Sequence, residues 1–402
     1  MLVKNVFYHL CNSEKCVFPT NKTNHYPKIP YICNVIRRCA KTIQKQMDRK
    51  IRIVDIAQMA GVSVGTVDRV LHGRGRVSKE KREKIESVLK EINYEPNMVA
   101  RFLASGRNYH LAAIIPTYAE GEYWDLVAKG IADSIKELHK FDFDIKYFYF
   151  DQYDKRSFDD AVAKFNEDEY DGVLLATIFE DSVVNLSKEL DEQEIPYVYI
   201  DSPISDQNNL SYYGGDSFGS GFIAASLLLR LIDNGSDIFI FHVRFKQKAE
   251  SVQMKNRETG FLHFLQKEGF GGKIHYIELN LEDKQRSQLM LSEALEHINN
   301  VAGGIVFNSR IHELASILDE IGSPLKDKMK LVGFDTIPRN VKALKEDKVA
   351  YLLSQQPERQ GYDGIKALGN YYLFQQNPEK TNYMPIDILI KENVDYYRTH
   401  KL

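Results

Sequence analysis

The 402-residue sequence predicts a small N-terminal all-α head followed by a larger α/β body of doubly wound parallel sheets. Three observations predict this: helical periodicity over residues 53–92, apolar strands alternating with amphipathic helices from Leu111 onward, and opposite net charges in the two parts. Apolar residues make up 43% of the chain and charged residues 27%, as in ordinary globular proteins. The length therefore predicts two or three domains.

Charge is distributed unevenly along the chain. Residues 1–48 contain 8 Lys/Arg and 2 Asp/Glu, and residues 49–108 contain 13 and 7. Because the whole chain carries −3, the remaining 294 residues carry a net charge of −15. A basic N-terminal quarter on an acidic body is typical of a separate head that binds a polyanion.

Residues 1–46 are rich in Asn, Lys, Tyr and Pro and show no sustained helix or strand period. We interpret them as a disordered arm or as a misassigned upstream segment, with Met47 as the working start. All four cysteines lie here, at spacings that fit no common zinc site: Cys11, Cys16, Cys33 and Cys39. We expect no metal and no cofactor, no membrane-spanning or secretory segment, and a reducing cytoplasmic location.

Residues 47–94 are predicted to form a helix-turn-helix with a supporting third helix. The first helix has one apolar face, formed by Ile53, Ile56, Met59 and Ala60. The small Ala57 lies where the first two helices are expected to cross, and Gly61 supplies the turn between them. Ser63 is the expected N-cap of the second helix, whose inner face is Val67, Val70 and Leu71. Ser78 is the expected N-cap of the third, which buries Ile85, Val88, Leu89 and Ile92. In such a motif the second helix enters the major groove of DNA by its N-terminal residues.

Residues 95–108 are predicted to be a short helix or linker. The stretch "YEPNMVARFLASG" has Pro96 at a plausible helix start and Gly106 near its end. An isolated helix this short is marginal in water, so we expect it to be ordered only when bound.

The body, residues 109–402, reads as repeated βα units. Predicted strands cover 111–116, 143–150, 171–177, 196–201, 237–243, 273–279, 303–309 and 330–335. Predicted helices include 124–138, 157–166, 218–232, 256–268 and 287–298. A ligand is expected at the carboxyl ends of the strands of such sheets.

The head sequence "IRIVDIAQMAGVSVGTVDRVLHGRGRVSKEKREKIESVLKEINYEPNMVARFLASG" resembles the DNA-binding head of the lactose-repressor (LacI/GalR) family of transcription regulators. The resemblance runs almost without a gap from Ile53 to Gly106. It implies that Val64, Gly65 and Arg69 face base edges and that Thr66 contacts phosphate. The predicted DNA-binding set on the helix-turn-helix is Ile53, Val64, Gly65, Thr66, Asp68, Arg69 and His72.

Asp68 departs from the family pattern, which usually has Ser at this position. A carboxylate there would repel a nearby phosphate or accept a hydrogen bond from cytosine N4. Because Val64 and Gly65 are poor hydrogen-bonding readers, Arg69 is the best candidate for a guanine contact. The alternative is that Arg69 is a solvated surface arginine and that the bundle binds protein.

The resemblance also implies that residues 95–108 form a hinge helix, which folds when two copies meet in the minor groove. Leu103 would be the apolar wedge that kinks the duplex, flanked by Asn97, Ala100 and Arg101. A homodimer on a roughly palindromic operator is therefore expected. The C-terminal "KENVDYYRTHKL" is too short and too polar for a tetramerisation heptad.

Essentially all of residues 109–402 resemble the two-lobed periplasmic sugar-binding-protein fold that the family uses as its sensor. The chain is expected to cross between lobes near 202–214, near 355 and near 385. The N-lobe would comprise about 109–211 and 356–384, and the C-lobe about 212–355 and 385–402. A hinged cleft between two lobes is a ligand-driven switch.

The resemblance implies an effector site at the strand ends and lobe crossings of this chain. A carboxylate, two amides, a guanidinium and two aromatic rings together suit a sugar or sugar derivative, with its hydroxyl groups and its C–H face. The predicted effector-binding set is Tyr123, Trp124, Arg257, Asn308, Asp335 and Gln355. Each has a structural alternative: a helix cap for Asp335, a turn for Asn308, core packing for Trp124.

Three alternative functions have to be distinguished from this one. A transport sugar-binding protein without a regulatory role would lack the head, and a structural DNA-binding protein would not respond to an effector. The stretch Gly215-Asp216-Ser217-Phe218-Gly219 matches the nucleophile-elbow pattern of serine hydrolases, with Asp335 and His400 following in hydrolase order. Because "NNLSYYG" before it is a poor buried strand and His400 lies in a polar tail, we predict that the protein is not an enzyme.

Overall fold

The computed structural model describes residues 52–71, 75, 77–92, 107–244, 251–298, 300–322 and 329–397. The described residues divide into two units, one before and one after position 97, and each is a separate body here. Several predictions lie outside the described residues: those on 1–46, on His72, on the hinge positions Asn97, Ala100, Arg101 and Leu103, and on His400.

The head unit contains three helices: α1 (Ile53–Ala60), α2 (Val64–Leu71) and α3 (Lys79–Glu91). One side chain from each helix is fully buried at their shared core: Ile56, Val67 and Ile85. Gly61 ends α1 with a left-handed φ of 64°, a conformation that glycine adopts without steric cost. These features form the predicted helix-turn-helix with its supporting helix.

Two details of the head differ from the prediction. Met59 is 52% exposed rather than in the core. Successive side chains on an α-helix are rotated by about 100° around its axis. Met59 therefore lies well outside the stripe that contains Ile53, Ile56 and Ala60. Ser63 and Ser78 precede their helices, but the Ser63 hydroxyl bonds to the Thr66 hydroxyl at 2.8 Å, and Ser78 makes no side-chain cap bond.

The second unit contains two six-stranded sheets, and we call each sheet with its helices a lobe. The N-lobe sheet has the order β11-β5-β4-β3-β1-β2; its strands are β1 (Tyr109–Pro116), β2 (Phe143–Phe150), β3 (Gly172–Ala176), β4 (Tyr197–Ile200), β5 (Ser211–Gly215) and β11 (Thr381–Met384). The C-lobe sheet has the order β12-β10-β9-β8-β6-β7; its strands are β6 (Asp237–Arg244), β7 (Ile274–Asn280), β8 (Val301–Val306), β9 (Lys330–Phe334), β10 (Tyr351–Ser354) and β12 (Asp387–Leu389). Only the β10–β12 pair is antiparallel among these described strands. This is the predicted doubly wound α/β architecture.

The helices of the second unit connect the strands. Those before the first crossing between the lobes are α4 (Tyr123–Leu138), α5 (Lys155–Phe165) and α6 (Glu180–Glu192). The next five are α7 (Ser217–Leu229), α8 (Val252–Lys267), α9 (Lys284–His297), α10 (Ile311–Ile321) and α11 (Pro338–Lys345). The last two are α12 (Pro357–Phe374), which packs on α4 and the N-lobe strands, and the short α13 (Val394–Tyr397). Among the described residues, no helix has the length and apolar character needed to span a bilayer.

Strand β5 corrects the expected lobe boundary. It pairs with β4 and β11, so the N-lobe sheet continues to Gly215 and the expected boundary at 211/212 falls inside a strand. The segment looked like a poor strand because it is polar, but its polar atoms are bonded internally: the Ser211 hydroxyl donates to the Glu379 carbonyl at 2.7 Å, and the Tyr212 hydroxyl to the Asp201 carbonyl at 3.1 Å. Burial is then permitted, because a buried polar group is costly only when it lacks a partner.

Candidate functional site

The outward face of α2 is open at its N-terminal end. Val64 is 45% exposed, the space beside Gly65 is empty, and Arg69 is exposed, whereas Val67 on the opposite side is fully buried. The residues predicted to read bases therefore lie on the surface of the helix-turn-helix. An exposed valine at this end can contact a thymine methyl group, which needs no hydrogen bond.

Arg69 lies on the exposed side of α2. Gly75 lies near this side chain, since a Cβ built at the glycine would be 3.7 Å from Arg69 Cδ. Asp68 and Thr66 are half-buried beside it on the same helix. Ile53, also in the predicted DNA-binding set, is half-buried and packs against the core of the head.

A cleft of about 340 Å³ lies between the two lobes. All six predicted effector-binding residues line it, although they come from five separate parts of the chain: Tyr123, Trp124, Arg257, Asn308, Asp335 and Gln355. The lining also includes residues that the sequence prediction did not include, chiefly Gln152, Tyr153, Asp201, Gln253, Arg310 and His312. The volume lies at the small end of the range for ligand pockets, roughly 300–1,000 Å³.

Two buried aspartates form the floor of the cleft. Asp201 follows β4 and Asp335 follows β9, and both have left-handed backbone conformations, with φ of 83° and 68°. Their exposed fractions are only 6% and 3%. The strain of this conformation is tolerable for Asp and is typical of functional positions. The repeated signal "PYVYID" and "KLVGFD", an Asp directly after a buried strand, could have identified Asp201.

A relay of amide side chains connects these two carboxylates across the lobes. Gln253 on α8 donates from Nε2 to Asp201 Oδ1 at 3.1 Å and to Gln355 Oε1 at 3.3 Å. Gln355 in turn donates from Nε2 to Asp335 Oδ1 at 3.2 Å. Each carboxylate thus keeps capacity to accept further hydrogen bonds from a ligand.

Arg257 is a buried cation with unused donors. It is 2% exposed, donates from Nη1 to the Phe307 carbonyl at 2.7 Å, and lies 4.2 Å from the centre of the Phe334 ring. Its Nε makes no hydrogen bond, and no carboxylate of the described residues is within ion-pair distance of it. A buried guanidinium in this position can bind hydroxyl oxygens of a ligand.

Tyr123 and Trp124 at the start of α4 supply the aromatic wall. Their rings pack edge to face with centroids 5.1 Å apart. The Tyr123 hydroxyl lies 3.4 Å from Gln360 Oε1, and Trp124 Nε1 lies 3.4 Å from Gln152 Oε1. Both side chains are buried, so each contributes to the N-lobe core as well as to the cleft.

Asn308 lines the cleft but uses its amide on the backbone. Its Nδ2 donates to the Val243 carbonyl at 2.9 Å, and its Oδ1 accepts from the Arg310 amide at 3.1 Å. It therefore fixes the turn after β8. Asn340, which is fully buried, has a similar role at the next strand end, where its Nδ2 donates to the carbonyls of Phe334 and Asp335.

Burial of these two carboxylates makes the free energy of folding depend on pH. Burial raises the pKa of Asp201 from 3.8 to about 6 and also raises the pKa of Asp335, while Arg257 lowers both. Because the pKa of Asp201 is higher in the folded state than in the unfolded state, folding is penalised at pH values above about 6. The penalty disappears as pH falls below the unfolded value.

We predict that Asp201→Asn removes this pH-dependent penalty. A pKa change of this size corresponds to on the order of 2–3 kcal/mol, so the variant should gain stability relative to wild type at pH 7 and lose that gain near pH 4. Urea unfolding at pH 4, 5 and 7 measures the difference. A gap between the two proteins that does not change with pH would show that Asp201 does not titrate in this range.

The nucleophile-elbow stretch is a helix cap in the structure. The preceding segment is a buried strand, β5, so the expectation that it would not form one was wrong. Asp216 is the N-cap of α7 and accepts from the Gly219 amide at 2.9 Å. Among the described residues, the Ser217 hydroxyl makes no hydrogen bond to a histidine, and Asp335 is bonded to Gln355 in the cleft.

Comparison with known proteins assigns both units. Residues 52–97 match the model described as "Bacterial regulatory proteins, lacI family", and residues 112–375 match the model "Periplasmic binding protein domain". A crystal structure assigned to a LacI transcriptional regulator from Bacteroides fragilis is 34% identical, with a TM-score of 0.66, covering 72% of this chain and 100% of that chain. The chain belongs to the LacI family of bacterial regulatory proteins.

Two curated relatives match this chain over different lengths. The catabolite control protein A of Streptococcus mutans is 40% identical over 94 residues, which is 23% of this chain and 28% of that protein. The ribose operon repressor of Halalkalibacterium halodurans is 25% identical over 294 residues, covering 71% of this chain and 80% of that one. The first match thus spans little more than a quarter of its relative's length, whereas the second includes most of the sensor of this LacI-family chain.

Proposed function

We propose that this LacI-family protein is a transcription regulator whose affinity for operator DNA is controlled by a sugar or sugar derivative bound between its lobes. One observation carries the proposal: a helix-turn-helix with an exposed reading face and a cleft floored by Arg257, Asp201 and Asp335 occur in one chain. The proposed domains are the helix-turn-helix at 47–94, the hinge at 95–108 and the sensor at 109–402, with the first lobe crossing after Gly215.

The DNA half of the proposal is supported by the outward face of α2. Arg69 is the residue we assign to a guanine, since arginine can donate two hydrogen bonds to O6 and N7. Val64 and Gly65 would allow close approach to the groove, and Asp68 would select cytosine through N4. The proposed partner is double-stranded operator DNA bound by a homodimer, with hinge residues in the minor groove, which implies a cytoplasmic location.

The effector half is supported by the chemistry of the floor. Two carboxylates can only accept hydrogen bonds and Arg257 can only donate them, so a ligand must present both kinds of group in a small volume. Hydroxyl groups do both, and the rings of Tyr123 and Trp124 suit the C–H face of a pyranose or furanose. The names of the relatives, a ribose operon repressor and a catabolite control protein, agree with this class of ligand.

Coupling between the halves would follow from lobe closure. The relay from Asp201 to Gln253 crosses from the N-lobe to the C-lobe, so a ligand on these groups would bias the relative position of the lobes. In a dimer this would alter the spacing of the two hinges and heads, with a coupling free energy of about 1–3 kcal/mol. The protein would act by binding alone, without an enzymatic step.

We expect Arg69→Ala to weaken specific DNA binding by about 10- to 100-fold, because it removes a contact worth roughly 1–3 kcal/mol. Duplexes selected by the wild-type protein from a random library are the probe, and fluorescence anisotropy is the measurement. Lys90→Ala is the matched control, since it removes the same charge from an exposed position on α3, outside the reading helix.

The outcomes of this experiment separate the alternatives. Equal losses in the two variants would mean that only net charge matters and that α2 is not the reading helix. Failure of the wild-type protein to select any duplex would leave a sugar-binding protein without a regulatory role. Loss of binding confined to Arg69→Ala supports the proposed orientation of the head.

A further inference from the structure

We infer that the effector is a monosaccharide whose buried end carries no anionic group, so that the cleft excludes phosphorylated and acidic sugars. This inference rests on the proposed function and specifies the chemical class of the ligand. It is carried by the charges of the floor and by the ion pairs at the mouth of the cleft.

The floor carries more negative than positive charge. Among the described residues, the charged side chains there are Asp201, Asp335 and Arg257, and all three are at least nine-tenths buried. The neighbouring Gln253, Gln355 and Gln360 are neutral. A phosphate or carboxylate at this depth would face two carboxylates against one guanidinium in a medium that screens charge poorly. Burial already raises the pKa of both aspartates, so additional negative charge is unfavourable there.

The arginines at the mouth are largely balanced by glutamates. Arg244 pairs with Glu278 at 3.0 Å, and Arg310 lies 4.0 Å from Glu122 on the opposite lobe. Glu120 adds another carboxylate to the lining, and the exposed Arg339 adds a guanidinium. Counting only the described residues, the mouth therefore lacks the excess of arginines that characterises sites for phosphate groups.

Two of the four helix ends that face the cleft are offset by acidic residues of the protein itself. Helices α4, α8, α10 and α11 all begin at the lining, and a helix N-terminus attracts negative charge. Two of them carry their own acids in the first turn, Asp125 on α4 and Glu313 on α10. The positive ends of α4 and α10 therefore offset carboxylates of the protein itself, whereas α8 and α11 have no acidic residue in their first turns. The volume of about 340 Å³ is sufficient for a single sugar ring.

The experiment uses the fluorescence of Trp124, the only tryptophan of the chain and a lining residue of the cleft. The full-length protein is titrated with matched pairs: glucose and glucose 6-phosphate, glucose and glucuronate, galactose and galacturonate, ribose and ribose 5-phosphate. Ligand-induced thermal stabilisation is the second readout. In each pair whose neutral member binds, we expect the anionic member to bind at least about 30-fold more weakly.

Asp335→Asn tests the physical cause. It keeps the shape of the side chain and removes one charge, so the preference for the neutral sugar should fall by about fivefold or more. Asp201→Asn should act in the same direction and is a second variant should the first fold poorly. Glu296→Gln, at an exposed position on α9 outside the cleft, removes the same charge and should leave the preference unchanged.

Each outcome decides a different point. Binding of an anionic sugar as tightly as its neutral partner, or more tightly, overturns the inference but leaves a sugar-controlled regulator. A preference that both aspartate variants leave unchanged also overturns it, since charge would not be the cause. No response to any sugar overturns the effector half of the proposed function and this inference with it, while the Arg69→Ala result remains a separate test of the head.

Discussion

Arg257→Met is expected to abolish the effector response of the protein and to destabilise its sensor unit. The guanidinium is the only positive charge among the described residues of the cleft floor, and methionine fills much of its volume without any donor. Removing one partner of a buried ion pair typically costs about 3–5 kcal/mol, and because Arg257 is not within ion-pair distance of either aspartate, we expect a loss at or below the lower end of this range. Effector affinity should fall by at least about 100-fold, which corresponds to roughly 3 kcal/mol.

The stability loss of Arg257→Met should depend on pH. Arg257 lowers the pKa of Asp201 and of Asp335, so its removal should raise both. The variant should therefore lose most stability at pH 7 and less near pH 4, where Asp201 is protonated. Urea unfolding at the two pH values measures this, together with the effect of effector on DNA binding at pH 7.

A double variant keeps this prediction testable if the single one unfolds. Adding Asp335→Asn to Arg257→Met removes one uncompensated carboxylate and should restore part of the stability at pH 7, but not the effector response. Wild-type effector affinity in the double variant would contradict the role assigned to Arg257. A stability loss that is the same at both pH values would mean that packing, not charge, determines the effect.

Gly130→Ala is expected to destabilise the N-lobe by about 2–3 kcal/mol. A Cβ at Gly130 on α4 would lie 1.7 Å from the Glu358 carbonyl oxygen on α12, so the two helices would have to separate. Overpacking typically costs about 1–3 kcal/mol and occasionally more, and a 1.7 Å clash with backbone, which no rotamer change relieves, belongs at or above the upper end of this range. The intrinsic gain of alanine over glycine in a helix, up to about 1 kcal/mol, offsets only part of this.

The same substitution should also weaken effector binding, because α12 begins next to the cleft. Gln355 precedes this helix, and Gln360 on its second turn donates to the Gln355 carbonyl at 2.9 Å. Gly235→Ala is the matched control, since the space around Gly235 is open and its φ is not left-handed. Thermal unfolding and sugar titration of both variants measure the effect. Equal thermal stability and equal sugar affinity of the Gly130→Ala and Gly235→Ala variants would show that α4 and α12 tolerate wider separation.

Local pattern was sufficient for most of the secondary structure and for the division into head and sensor. The apolar period over residues 53–92 set the three helices, since Ile56, Val67 and Ile85 meet only if each segment is helical. Resemblance to the family supplied six cleft residues, although local pattern gave little sign that Gln355 would lie beside Asp335. The prediction was wrong at Met59, whose burial depends on the exact phase of the helix. It was also wrong at β5, whose burial depends on the strands that pair with it.

The sequence by itself determined that a basic helix-turn-helix precedes an α/β sensor, because helical and strand periods and the sign of charge are local properties of the chain. Only the tertiary structure decided that Asp201 and Gln253 belong with Asp335, Gln355 and Arg257 in one cleft. These residues come from strand ends and a helix start in two lobes, and their hydrogen bonds exist only when both lobes are assembled. The altered pKa values of Asp201 and Asp335 have the same origin. They result from burial and from the charge of Arg257, which is distant in the chain and close only in the folded protein.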